Sequence, residues 1–200
     1  LIVVNDVSRD DMDQVAAAYR ELFVAAHGGA LGLFTAISRL RAVHKRLHIP
    51  LAQKGLPLYA QHVDPMDTGT LVDMFRAERD ACLLGTDAVR DGVDVPGDSL
   101  RLIVLDRVPW GTPTILERAR KEMFGGNAYG DMVVRLRLRQ AFGRLIRSEQ
   151  DRGCFVILDS RLASRFTTAF PPGVAVERIG LVEAIDKVKS FSTLQRGEEE

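Results

Sequence analysis

Short apolar runs alternate with longer amphipathic stretches along almost the whole chain. The short runs are apolar without polar alternation, as in "ACLL" at 81–84 and "LIVL" at 102–105. Such runs are typical of strands that are buried on both faces of a sheet. The longer stretches carry apolar residues at helical spacing, and Ile37, Leu40, Val43 and Leu47 form one such face. The pattern predicts an α/β fold of three layers, with a mainly parallel central sheet and helices on both faces.

The boundaries of the predicted elements follow from turn and capping residues. Strands are predicted within 28–36, 56–61, 81–86, 99–109, 153–159 and 174–179. Helices are predicted within 8–27, 37–48, 66–79, 112–124, 131–149, 160–170 and 181–191. Gly28 and Gly29 separate the first helix from the strand that follows, and the "GGNAYG" segment at 125–130 is predicted to interrupt two helices.

Composition places the chain among ordinary globular proteins. Its 200 residues are 46% hydrophobic and 27% charged. The formal net charge is zero, so the overall charge does not indicate that the protein binds nucleic acid. The two cysteines, Cys82 and Cys154, fall in predicted strands and suggest buried free thiols in a reducing, cytoplasmic compartment. No run approaches the ~20 apolar residues of a membrane span. We expect a single domain over 1–200, cut from a longer protein because the chain begins at Leu1 without a methionine.

One predicted helix carries an unusual polar stripe. Gln140, Arg144 and Arg147 stand at i, i+4 and i+7, which places them on one side of a helix, with Gly143 beside them. Two adjacent guanidiniums repel each other unless an anion lies between them, and phosphate matches their forked donors best. The residues alone leave two interpretations open: a phosphate site, or a solvated arginine face with a tolerated glycine.

Three predicted strands end in polar residues, namely Thr35, Thr86 and Asp106. In open parallel sheets, ligands bind in the loops at the carboxyl ends of the strands. These positions are therefore candidates for a binding site.

Two further segments, taken with the stripe, resemble helicase motifs of superfamily two. "FTA" at 34–36 resembles motif IV (about 31–40), "GTDAVRDGVDVPG" at 85–97 resembles motif V, and "QAFGRLIR" at 140–147 resembles motif VI. The flanks "VDVPGDSLRLIVLDRVPW", "GGNAYGD" and "VILDSRL" narrow the resemblance to the DinG/XPD-like group of DNA helicases, over roughly residues 28 to 185. One departure is Asp91, where the group usually has glutamate before the motif V glycine.

The resemblance implies the second, C-terminal RecA-like domain of such an enzyme, with a P-loop NTPase type of fold. No Gly-Lys-Ser or Gly-Lys-Thr occurs in the chain. ATP and Mg²⁺ would then be bound mainly by a first, N-terminal RecA-like domain that carries the Walker motifs. That domain and single-stranded DNA would be the partners, and any iron–sulfur cluster would belong to the first domain. The full protein would be an ATP-dependent helicase that moves 5′ to 3′, and the isolated chain would be inactive.

The resemblance also assigns roles to residues. The catalytic set would be Arg147 as arginine finger, Arg144 and Gln140; the ATP-binding set would be Asp94, Gly92 and Gly143; the nucleic-acid set would be Thr35, Ser38, Arg39, Thr86 and Asp87. For Arg39 a plain surface arginine is an equal alternative. Trp110 suits either a stacked base or an interdomain contact, and the run 134–139 suits a solvated or interdomain face. An RNA helicase domain, or a degenerate domain that only binds nucleic acid or partners, remains as an alternative function.

Overall fold

The computed structural model describes residues 1–87, 89, 99–111, 114–147 and 151–197, and the side chains of these residues up to 194. In this part of the chain the strands are β1 Ile2–Val4, β2 Ala30–Leu33, β3 Leu58–Ala60, β4 Cys82–Gly85, β5 Leu102–Leu105, β6 Cys154–Ile157 and β7 Glu177–Ile179. The α-helices are α1 Met12–Ala25, α2 Ile37–Ala52, α3 Thr68–Ala77, α4 Ile115–Met123, α5 Asn127–Leu145 and α6 Leu181–Gly197, and a 3₁₀ helix covers Ser164–Ala169.

The seven strands form one sheet in the order β3-β4-β2-β5-β6-β1-β7, and every adjacent pair among them is parallel. Each connection therefore crosses over through a helix or loop, as parallel pairing requires. The predicted parallel sheet is confirmed. The N-terminal residues, which are not among the predicted strands above, form β1 between β6 and β7.

Two hydrophobic clusters lie on opposite faces of this sheet. One face packs α1, α2 and α6, with Tyr19, Phe23 and Leu47 fully buried. The other packs α3, α5 and the 3₁₀ helix, with Phe75 and Phe166 fully buried. Successive residues of β1, β2 and β5 belong to alternate clusters, as the two-residue period of a strand requires. The predicted three layers are confirmed.

Capping side chains fix several helix starts. Asp11 accepts hydrogen bonds from the backbone N–H groups of Asp13 and Gln14, so α1 begins at Met12, four residues after Ser8. Asp67 accepts from the N–H of Thr70 at the start of α3. After α1, Gly28 has a φ of +75°, and a Cβ on it would lie 1.9 Å from the carbonyl oxygen of Asp80. Glycine is thus required at that turn.

Helix α5 differs from the prediction at both ends. It begins at Asn127, so the last four residues of the "GGNAYG" segment are helical and only Gly125 and Gly126, both with positive φ, break the chain. It ends at Leu145, with Ile146 already extended at φ −120° and ψ 108°. The prediction that the helix runs to 149 is wrong, and Arg147 lies beyond its end.

Both cysteines lie in strands, as the apolar runs around them predict. Cys82 is fully buried in β4, whereas Cys154 in β6 is only partly buried, and both thiols are free. Burial raises the pKa of the Cys154 thiol to about 11, and raises that of Cys82 further. In the described part of the chain, no helix combines the length and apolar character that crossing a membrane requires.

Candidate nucleotide and nucleic-acid interface

The polar residues that follow β2 and β4 meet at one edge of the sheet. Thr35 follows β2, and Thr86 and Asp87 follow β4, which pairs with β2 in parallel register. They line a small cavity of about 20 Å³, which has room for about one water molecule. Arg107, after β5, and residues of α5 complete its wall. The structure therefore brings together the predicted motif IV and motif V positions.

Thr86 is held in place by a residue that the sequence analysis did not single out. The Oε1 atom of Gln61 accepts hydrogen bonds from the Thr86 backbone N–H at 2.9 Å and from its hydroxyl at 2.8 Å. The Nε2 of Gln61 donates to the Thr68 hydroxyl at 3.1 Å. Gln61 is buried and directly follows β3, so its place at a strand end was the available signal. Both Thr86 groups that could hold a phosphate are thus engaged within the chain.

Arg39 forms a buried ion pair with Asp106, the residue after β5. Its Nε and Nη2 atoms donate to the two carboxylate oxygens at 2.6 and 2.7 Å, and Nη2 also donates to the carbonyl of Arg9. Asp106 is fully buried and the Arg39 side chain is 13% exposed. The hydrogen bonds to Asp106 raise the pKa of the guanidinium. Arg39 is therefore no plain surface arginine: it ties the start of α2 to the end of β5.

Helix α5 packs on one face of the sheet, borders the same cavity and carries the motif VI residues from Gln140 to Leu145. Arg137 and Ala141, one turn apart, line the small cavity beside Thr86. Gln140 is exposed and Arg144 is half-buried. Gly143 is exposed, and a Cβ on it would meet nothing within 4 Å in the described structure. Gln140 and Arg144 therefore keep the predicted i, i+4 relation on one side of the helix.

Arg147 departs from that geometry. It is exposed and lies two residues after Leu145, the last residue of α5. Its backbone N–H donates to Oδ2 of Asp151 at 2.7 Å. The prediction of an i+7 position on a helical stripe is therefore wrong for Arg147.

The other predicted site residues divide into two groups. Thr35 and Ser38 are exposed at the start of α2, where the cap residue Ala36 provides no side-chain hydrogen bond to the first turn. The second group lies outside the described residues: it consists of Gly92, Asp94 and Asp91, the aspartate that stands where the group usually has glutamate.

The loop after β5 is fixed from two sides. The fully buried carboxylate of Asp159, after β6, accepts from the backbone N–H of Val108 at 3.2 Å. Arg137 of α5 donates to the carbonyl of Trp110 at 2.9 Å. The Trp110 side chain is 44% exposed, and its ring meets Phe166 edge-on at a centroid distance of 5.2 Å. The loop thus holds a partly exposed tryptophan in a defined position.

The arginines of the run 134–139 bind the chain itself. Arg135 donates to the carbonyl of Arg165, Arg137 to those of Pro109 and Trp110, and Arg139 to that of Ala169. These bonds hold α5 against the 3₁₀ helix and against the loop after β5. Among the described residues no group of three or more His, Cys, Asp and Glu side chains is placed to hold a metal ion.

The family of helicase C-terminal domains matches the chain over residues 19–175. The chain belongs to this family of helicase domains. Within it, the chain is a C-terminal helicase domain of the DinG/XPD-like group, as its relatives indicate.

Three relatives illustrate the match. The ATP-dependent helicase DinG of Mycobacterium tuberculosis is 37% identical over 151 residues, which cover 72% of this chain and 22% of that protein. The 3′-5′ exonuclease DinG of Bacillus subtilis is 33% identical over 169 residues, 80% of this chain and 18% of that protein. The ATP-dependent DNA helicase YoaA of Escherichia coli is 32% identical over 171 residues, which cover 80% of this chain and 26% of that protein. The chain thus spans about a fifth to a quarter of these relatives.

Solved structures confirm the RecA-like fold. An XPD helicase superposes with a TM-score of 0.66 at 15% identity, covering 88% of this chain and 34% of that one. The C-terminal domain of the DEAD-box protein Dbp5 superposes with a TM-score of 0.60 at 15% identity, covering 95% of this chain and 96% of that one.

Proposed function

We propose that this chain is the second motor domain of an ATP-dependent DNA helicase. The edge of the sheet at the carboxyl ends of its strands would supply half of the ATP cleft and half of the binding track for single-stranded DNA. The observation that carries the proposal is the meeting of three motifs at one cavity. Thr35, Thr86 with Asp87, and the motif VI helix through Ala141 all line it. A nucleic-acid strand at this cavity would therefore lie next to Ala141, the neighbour in sequence of Gln140, which is proposed to face ATP.

Arg147 and Arg144 are the proposed catalytic cations. ATP hydrolysis needs charge stabilisation at the γ-phosphate while water attacks, and a guanidinium supplies it in forked form. Gln140, exposed on the same side of α5 as Arg144, would contact the γ-phosphate or the attacking water. Because Arg147 lies beyond the helix end, it is the group best able to adjust as the two domains close. Gly143 has open space outward and would admit the opposing surface.

The remaining contacts divide between nucleotide and DNA. Asp94 and Gly92 would contact the nucleotide, and ATP with its Mg²⁺ would be held mainly by the first motor domain. Thr35 and Ser38 lie at the start of α2, whose N-terminus favours an anion such as a DNA phosphate. Asp87 would extend that contact, and Thr86, whose N–H and hydroxyl both donate to Gln61, would act through position. Arg39 would act on DNA through position, since its guanidinium already binds Asp106.

Domain closure would couple these sites. Closure on ATP would bring the arginines of this domain to the phosphates, and opening after hydrolysis would step the strand along. The group resemblance favours 5′-to-3′ travel.

The test replaces Arg147 and Arg144 in the full-length protein. Arg147→Ala should leave ATP binding nearly intact and reduce DNA-stimulated hydrolysis by at least ~10³, the lower range for loss of an arginine finger. Arg147→Lys should not restore it, because an ammonium lacks the fixed fork. Arg144→Ala should be similarly severe, and the double variant little worse than either one, because groups that act as a unit lose function non-additively.

Arg152→Ala is the matched control, since this arginine is also exposed and lies five residues further along the chain, outside motif VI. Its hydrolysis should stay near that of the parent. If Arg147→Ala melts far below the parent while its folded fraction hydrolyses ATP normally, the arginine stabilises the fold and the assignment to catalysis is wrong.

The isolated chain gives a second test. It should not hydrolyse ATP appreciably, and it should bind single strands weakly, with an affinity that falls as salt rises because phosphate contacts release counterions. Robust hydrolysis by the purified chain, or tight binding that ignores salt, would contradict the division of labour proposed above.

A second candidate is a motor-like domain in a nuclease, because the Bacillus subtilis relative is named a 3′-5′ exonuclease. Strand-displacement and nucleotide-release assays on the full-length protein separate the two. Unwinding that requires ATP supports the helicase, whereas release of mononucleotides without unwinding supports the nuclease. The same unwinding assay on an RNA duplex tests the RNA helicase alternative.

A further inference from the structure

Three cavities lie side by side along the carboxyl edge of the sheet. The small cavity beside Thr86 shares Thr35 and Arg107 with a second cavity of about 190 Å³. The second shares Trp110 with a third, of about 720 Å³, between that loop and helices α4 and α5. Through these shared residues the three cavities adjoin, and we call this row of cavities the path; Trp110 lies between the second and the third.

The walls of the second and third cavities are richer in cations than the chain as a whole. Among the described residues, the acids of these walls and of their immediate ion pairs number four, namely Asp10, Asp159, Glu117 and Asp131. The cations number six, namely Arg9, Arg107, Arg161, Arg118, Lys121 and Arg165. The chain has a formal net charge of zero, so this excess is local. A local positive excess in a groove attracts a polyanion.

Trp110 is placed to present its ring to a ligand in this path. The ring rests edge-on against Phe166 at an interplanar angle of 77°, and the guanidinium of Arg165 lies 4.6 Å from the Phe166 ring centroid. The Trp110 carbonyl is held by Arg137. Trp110 is nevertheless 44% exposed, so part of the residue is open to a ligand. Supported on one edge and open elsewhere, it fits the role of a stacking surface.

We propose that Trp110 stacks on a base of single-stranded DNA that runs from the Thr35–Thr86 cavity into the third cavity. The inference rests on the proposed function, since it extends the same track. The phosphates on either side of the stacked base would lie near Arg107 and Arg161 in the second cavity, and near Arg118 and Lys121 in the third. Base stacking on an aromatic ring is tolerant of sequence, as a motor that travels along DNA requires.

Tryptophan emission gives a direct readout, because Trp110 is the only tryptophan of the chain. Titration of the 200-residue chain with oligothymidylate at low salt should change its emission along the same curve as an independent measure of binding, such as the anisotropy of labelled DNA. An oligouridylate should produce a similar change, since stacking does not depend on the sugar. Binding detected by anisotropy without any change in emission would overturn the proposal.

Substitutions test the same contact in the full-length protein. Trp110→Ala should weaken single-strand binding by about 5- to 150-fold, the range that corresponds to about 1–3 kcal/mol per stacked base. Trp110→Phe, which keeps a ring, should weaken it much less. The control is Phe124→Ala, because Phe124 is an exposed aromatic residue near α4 that lines neither cavity. Equal losses in Trp110→Ala and Phe124→Ala would argue against a specific stack.

The cations of the third cavity provide the last arm. Arg118→Gln with Lys121→Gln should reduce the slope of log affinity against log salt by about 0.7 for each DNA phosphate that the variant no longer binds. Lys45→Gln, an exposed lysine on α2 outside these cavities, should leave the slope unchanged.

The outcomes separate this inference from the proposed function. If Trp110→Ala lowers the melting temperature but leaves DNA affinity unchanged, Trp110 is a packing or interdomain contact and the inference is wrong. If DNA binding persists without any Trp110 signal while Arg147→Ala still abolishes hydrolysis, the proposed function stands alone. If the full-length protein binds no single strand, the proposed function falls, and this inference with it.

Discussion

Removal of the Arg39 guanidinium should destabilise the domain much more than the loss of a surface arginine. The pair with Asp106 joins two side chains that are 13% and 0% exposed, through bonds of 2.6 and 2.7 Å. Arg39→Met keeps most of the apolar stem but leaves a carboxylate buried without its partner. Breaking a buried pair in this way costs about 3–5 kcal/mol. For a domain of this size, this corresponds to a fall in melting temperature of roughly 6–20 °C.

Urea denaturation followed by circular dichroism measures the loss, and the chain offers a matched control. Arg46 donates to Asp13 at the same 2.6 Å, but Asp13 is 83% exposed. An exposed pair contributes about 0–1 kcal/mol, so Arg46→Met should change stability little. A double-mutant cycle adds Asp106→Leu to Arg39→Met, and the double variant should recover much of the loss because no unpaired charge stays buried.

The reasoning fails if Arg39→Met is as stable as Arg46→Met within about 1 kcal/mol. It also fails if the double variant is less stable than both single variants, which would mean that burial of the charges is not the source of the cost. A variant that keeps its stability but loses DNA affinity would return Arg39 to the direct nucleic-acid contacts.

Two further substitutions and one labelling experiment test other parts of the chain. Gln61→Ala leaves the N–H and hydroxyl of Thr86 without their acceptor, so urea denaturation should show a loss of about 1–3 kcal/mol in the free energy of unfolding. Filter binding should show a lower affinity for single-stranded DNA. If both the free energy of unfolding and the affinity are unchanged, Gln61 does not hold Thr86. Gly143→Ala meets no atom within 4 Å, so it should stabilise the isolated chain by up to about 1 kcal/mol. The same change should reduce hydrolysis in the full-length protein, and full activity there would show that no surface approaches this glycine. Maleimide at pH 8 should label Cys154 slowly and Cys82 only after unfolding, because burial raises both pKa values and leaves little thiolate; fast labelling of Cys82 in the native chain would contradict its burial.

The fold was predictable because its signals are local. The runs at Cys82–Gly85 and Leu102–Leu105 are apolar at every position except the last glycine, and such runs predict strands covered on both faces. Because the carboxyl ends of parallel strands share one edge of a sheet, the predicted strands alone place Thr35 and Thr86 at the same edge. The motif spacing added the family, which composition could not have given.

The features that escaped prediction depend on contacts between distant residues. Arg39 and Asp106 are 67 residues apart, and Gln61 and Thr86 are 25 apart, so no window of sequence contains either pair. The end of α5 at Leu145 has no glycine or proline to signal it. Close packing accompanies this ending, since a Cβ on Gly153 would lie 2.5 Å from Leu145 Cδ1.

The polar groups of this edge fall into two kinds, and the division explains how one surface can be both stable and reactive. Asp106, Asp159 and Gln61 are buried, and each binds groups on another element, so they fix the loops. Thr35 and Gln140 are exposed on those fixed loops and helices. A helicase domain must present phosphate contacts at constant spacing while its partner domain moves, and a frame of buried, satisfied pairs provides that spacing. Substitutions of the first kind should therefore be detected first in melting curves, and substitutions of the second kind in hydrolysis or DNA affinity at unchanged stability.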